Sequence, residues 1–78
     1  MSNLTLETVK KLGAKFNQAD SGKASQLLFT CWAITNNWTL KHICSAAKSA
    51  GVLSIAEAKN KKELWFALEI ELNAAKVI

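Results

Sequence analysis

The groups best suited to chemistry in this sequence are the thiols of Cys31 and Cys44 and the imidazole of His42. Apart from Met1 they are its soft metal ligands, and a thiol next to an imidazole is also how a cysteine nucleophile meets its base. A structural zinc ion takes four ligands, commonly from closely spaced cysteine pairs, and this chain offers neither such a pair nor a fourth ligand. On a helix His42 and Cys44 point about 200° apart, too far to share an ion. Cys31 lies in the most apolar stretch, Leu27 to Ile34, where burial raises a thiol's pKa and makes it inert. Asp20 is the only aspartate, while Glu57, Glu63, Glu69 and Glu71 fit capping and surface positions. Glycine occurs only at Gly13, Gly22 and Gly51, so there is no phosphate-cradling loop. The expectation is no metal, no cofactor, no catalytic residue and no enzymatic activity. The spacing leaves room for a Cys31–Cys44 disulfide, with free thiols the expected state of a cytosolic chain.

The formal charge is +4, and all ten basic residues are lysines. Arginine is the usual residue for bidentate contacts to guanine and phosphate, whereas lysine acts as a point charge. A sequence-specific DNA reader without arginine is unusual, and the plain reading of the lysines is a solvated surface. One cluster stands apart. Lys59, Lys61 and Lys62 gather just before the last helical stretch, where backbone N–H groups and the helix dipole favour phosphate.

The elements that position these groups read as helices. Proline is absent, as suits short turns between helices rather than the many corners of an all-β fold. Thr5 can cap a first helix with Glu7 in its first turn, and Leu6, Val9, Leu12, Gly13 and Phe16 keep the spacing of a buried stripe. Asn17 to Gly22 is turn-like, and Asp20 or Ser21 can cap a second helix running to about Thr35. Leu27 to Ile34 would also suit a buried strand, but its neighbours are helical and a lone strand has nothing to pair with. This predicts a central buried helix, with Trp32 in the core. After Asn36-Asn37, Thr39 caps a third helix with Leu40, Ile43, Cys44 and Ala47 inward and Gly51 at its left-handed end. Ser54 to Glu57 and Asn60 to Glu63 both match a capping box, which predicts a short helical turn around Ser54 to Lys59, then a helix from Lys61 to about Ala75.

The segment from Ser54 to Ile78 holds more apolar surface than one helix of a small domain needs. Leu64, Leu68 and Leu72 form one stripe, Phe66, Ile70 and Val77 another, and Trp65 sits between them. Apolar residues nearly all round a helix imply burial on several sides, by its own domain or by a partner. Trp65 and Trp38, the latter in a turn, are further candidate anchors, although tryptophans at such places also close off small cores.

Ala47, Gly51 and Val52 have the spacing that opens a helix-turn-helix, but Glu57 and Asn60 are polar where its recognition helix needs apolar anchors. Thr39-Leu40-Lys41, the Gly51-Val52 helix end and the Lys61-Lys62-Glu63-Leu64 opening of the next helix resemble a different unit. It is the helix–extended-loop–helix of SAP-like domains and of the N-terminal domain of transcription terminator Rho. The likeness covers about residues 39–72. It implies nucleic-acid binding through a helix N-terminus, with Lys59, Lys61, Lys62 and Lys41 as the contacts.

Residues 1–78 are expected to form one small all-α domain, a compact bundle of about four helices. A core this small rarely gives more than about 3–5 kcal/mol, so a homodimer or a bound partner is a reasonable expectation. No apolar run nears the roughly 20 residues of a membrane span, and the N-terminus has no signal-peptide pattern, so the cytoplasm is the expected location. The leading expectation is a small interaction protein that binds and modulates, or inhibits, a larger protein. Its anchors would be Trp65, Phe66, Ile70, Val77 and Trp38. Its size and style suit an accessory protein of a phage or mobile element, with a partner in nucleic-acid-processing machinery. The alternative is the nucleic-acid-binding domain that the resemblance implies.

Overall fold

Five helices follow one another in the computed structural model, which describes residues 4–16 and 22–77. The first, α1, spans Leu6–Ala14 and is started by Thr5, whose hydroxyl accepts the Thr8 N–H at 3.2 Å. Val9, Leu12 and Gly13 are buried, and Phe16 packs half-buried against the core. Leu6, expected on the same stripe, is instead 54% exposed, because Leu4 fills the interior at that end.

The ambiguous apolar stretch is helical, within α2 at Lys23–Thr35. Its Thr30 hydroxyl donates to the Gln26 carbonyl one turn back, a helical back-bond that satisfies a buried side chain. The cap is Gly22 at φ +111°, with no side-chain bond; Asp20 and Ser21, the expected caps, lie outside the described residues. α2 is the central element and packs against α1, α3 and α5. Trp32, expected in the core, is only half-buried. Its ring lies 5.8 Å from Phe29, 6.0 Å from Phe16 and 5.8 Å from Trp38, in an aromatic cluster at the molecule's edge.

α3 spans Leu40–Ala50 behind its Thr39 cap, with Ile43 and Ala47 buried. α4 is a single turn, Leu53–Ala56, and α5 spans Lys61–Ala74. Ser54 does not start α4. Val52 donates its N–H to Ala47 in the cap of α3, so the next helix begins at Leu53 and leaves Ser54 inside it. The α5 start follows its sequence signal: the Asn60 side chain accepts the Glu63 N–H at 2.8 Å, and the Glu63 carboxylate accepts the Lys59 N–H at 3.1 Å. α4 lies between α3 and α5 and contacts both.

Three helices end in the same way. Trp38 donates to Ala33, Val52 to Ala47 and Val77 to Leu72, each across a residue of positive φ, namely Asn37, Gly51 and Lys76. These are Schellman caps, in which the residue after the left-handed position turns an apolar side chain back toward the helix. The interior they enclose is built from Val9, Leu27, Cys31, Ile55, Leu68 and Leu72, all fully buried. The whole is a compact all-α bundle with a radius of gyration of 11.0 Å.

Candidate functional site

The last helix presents two opposite apolar faces. Leu64, Leu68 and Leu72, four residues apart, face the core at 4% exposure or less. Phe66 and Ile70 fall on the far side of the same helix and are 63% and 52% exposed. A rigid helix with apolar side chains one turn apart in solvent is the kind of surface that helix-mediated recognition uses.

Trp65 lies on the flank, half-buried, with its indole N–H donating to the Leu4 carbonyl at 3.1 Å. The Leu4 N–H donates to the Glu69 carboxylate at 3.0 Å, so two side chains of α5 hold the N-terminal segment in place. A groove of about 820 Å³ runs past Trp65, Phe66 and Ala58. The carboxylates of Glu57, Glu63 and Glu69 line it, with Lys62 the one lysine along it.

On its other side Trp65 lines a smaller cleft of about 210 Å³, whose walls include Trp38, Leu40, Ile43 and Lys61. Trp38 is 38% exposed and stands edge-on to Phe29 at 5.3 Å. Trp65 therefore separates Trp38 on one side from Phe66 on the other. Val77 is half-buried against the core as part of the cap that closes α5, away from the exposed ridge.

Lys41, Lys59, Lys61 and Lys62 are all exposed, and none is ion-paired among the described residues; the pairs are Lys11–Glu7 and Lys23–Glu71. Lys61 and Lys62 line different clefts, on either side of Trp65. The N-terminus of α5 already holds the Asn60 amide oxygen and carries Glu63 in its first turn, which places negative charge where a phosphate would dock. Between α3 and α5, where the SAP-like resemblance implies an extended loop, the chain forms α4.

Cys31, His42 and Cys44 are not brought together. Both cysteines are free, and among the described residues no group of three His, Cys, Asp or Glu side chains could hold a metal ion. Burial pushes the Cys31 thiol up to about 12, the inert state its surroundings predict. The Cys44 sulfur lies 3.4 Å from the Ile55 carbonyl and 3.5 Å from that of Ala58, so it fastens α3 to the end of α4, and burial raises its pKa as well. His42 is exposed beside Thr39, with its Nδ1 3.0 Å from the threonine hydroxyl.

The acidic lining of the groove was not read from the sequence, where its glutamates pass for caps and surface groups. A signal was present: Glu63 and Glu69 stand three residues before and three after Phe66, one helical turn on each side. Among the described residues, no helix is long and apolar enough to cross a membrane. No family model matches the chain, and no significant match was found among curated proteins or solved structures.

Proposed function

We propose that this protein is a non-enzymatic helical module that binds a larger protein through the outer face of α5 and modulates it. One observation carries this reading: Phe66 and Ile70 are 63% and 52% exposed on a helix whose other face is fully used by the core. A fold that needed only to bury Leu64, Leu68 and Leu72 gains nothing from large apolar groups on the outside of the same helix. Trp65 and Trp38 extend the apolar surface along the two clefts. The modulating or inhibiting role, and a phage or mobile-element source, rest on analogy from size and style. Free thiols at Cys31 and Cys44 fit a reducing compartment, which favours the cytoplasm.

The test is co-purification of the full chain with its partner from its natural host, comparing the native sequence with a Phe66→Glu/Ile70→Glu double variant. Both positions are exposed, so the variant should keep its helical circular dichroism. A stoichiometric protein partner retained by the native chain and lost by the variant is the expected outcome; a folded variant that keeps the partner overturns the reading.

Nucleic-acid binding is the second reading, favoured by Lys59, Lys61 and Lys62 being exposed and without ion pairs among the described residues. Light scattering with a mixed pool of short DNA and RNA separates the two. Contacts from a few lysines to phosphate weaken steeply with salt, whereas an apolar interface does not. A mass gain confined to low salt, and absent in a Lys59/Lys61/Lys62→Ala variant, would assign the lysines instead.

A further inference from the structure

We infer that the partner segment seated in the α5 groove is basic: an apolar side chain against Phe66, with arginine or lysine on either side. The inference rests on the reading of α5 as a protein interface and names the chemistry of its occupant. The protein as a whole carries +4, yet four of its six acidic residues fall between Glu57 and Glu71. Three of these line the groove against a single lysine, so the apolar ridge stands in an acidic surround on a basic molecule.

Two of the three carboxylates are held in place. Glu63 accepts the Lys59 N–H and Glu69 the Leu4 N–H, which fixes negative charge one turn before and one turn after Phe66. Glu57 caps the end of α4 with its backbone N–H and is exposed, its carboxylate making no hydrogen bond or ion pair among the described residues. Covering Phe66 with a neutral or acidic segment would strip water from these carboxylates without replacing it, which is costly. A basic segment brings opposite charge to this acidic lining, and arginine does so with the weaker hydration of its own charge.

The same geometry disfavours two other occupants. Phosphate would meet carboxylates of its own sign. A second copy in a twofold contact would set this acidic patch against its own image, since such an interface apposes identical surfaces.

The experiment uses the full chain and two amphipathic peptides with the same Leu, Phe and Ala positions. One carries Arg at every polar position and the other Glu, and binding is followed by amide chemical-shift mapping at low and moderate salt. The arginine peptide should shift residues 57–70 and bind at least tenfold tighter than the glutamate peptide. Phe66→Ala should abolish the mapped site, and Glu57→Lys should weaken the arginine peptide about twofold to fivefold, the range of one exposed charge pair. Equal binding of both peptides at a site that Phe66→Ala removes would overturn the basic partner while leaving the interface. An arginine peptide that maps elsewhere, or is indifferent to Phe66→Ala, would overturn both. So would failure of both peptides to bind. A doubling of solution mass without peptide, lost in Phe66→Glu, would replace the basic segment with a second copy.

Discussion

A Cβ added at Gly13 would lie 2.9 Å from the backbone Cα and N of Trp32 and 3.2 Å from the backbone of Cys31. Those atoms belong to the central helix and yield only if α1 backs away from α2. Alanine favours a helix interior over glycine by about 1 kcal/mol, but overpacking typically costs about 1–3 kcal/mol, and here the obstruction is backbone. Gly13→Ala should therefore destabilise, seen as a lower urea midpoint at unchanged slope. An unchanged or higher midpoint would mean that the two helices separate easily. The sequence placed Gly13 on the buried stripe correctly, but nothing local says that its missing side chain is what lets two helices touch. The same limit hid the task of Cys44. A thiol reaching two carbonyls of another element depends on where the chain returns, and neighbouring residues carry no sign of it.

Three helix starts were legible because capping is local, whereas that of α4 was not. Thr5, Thr39 and Asn60 each bond an N–H three residues on, so the residue type announces the start. Helix ends were legible at Gly51 and at Asn36-Asn37, where α2 stops at Thr35 as expected. Asn37 and Lys76 take the same left-handed conformation, at φ 60° and 58°, and Lys76 does so without advertising it. Lys76 is the more strained, since asparagine tolerates that region and lysine does not. Lys76→Gly should raise stability by about 0.5–1 kcal/mol, with a smaller gain for Asn37→Gly, measured by thermal melting. A loss at Lys76 would mean that its side chain makes a contact worth more than the relief. The strand–helix ambiguity at Leu27 to Ile34 was settled by neighbours, since a helix docks on its flanking helices where a lone strand leaves its backbone unpaired.

At the scale of the whole molecule, Glu71 joins three helices. Its carboxylate meets the Lys23 ammonium of α2 at 2.7 Å and is hydrogen-bonded by the Ser54 hydroxyl of α4. The Lys23 hydrogen bond first, then that from Ser54, hold its carboxyl below the usual range. A depressed carboxyl stabilises the fold above its unfolded pKa of about 4.3, and that contribution is lost as pH falls through the folded value. Stability should decline in acid below about pH 4, and Glu71→Gln should flatten that decline by less than about 1 kcal/mol, because the pair is partly solvated. Urea titrations at neutral and acid pH read this directly; a decline unchanged by the substitution would assign it to other carboxylates. Net charge was legible from composition, but its division into an acidic groove and a basic remainder was only partly so, because Glu57 joins Glu63 and Glu69 only when α4 folds beside α5. The Leu4 contacts carry a further consequence, for the order in which the chain assembles. They join residues 61 and 65 positions apart in sequence, and closing so long a loop costs entropy that local turns do not incur. During synthesis Leu4 is made 61 residues before Trp65, so it must wait undocked until α5 is made. The proposed binding face, which shares Trp65 and Glu69 with that latch, is then completed in the last step of folding.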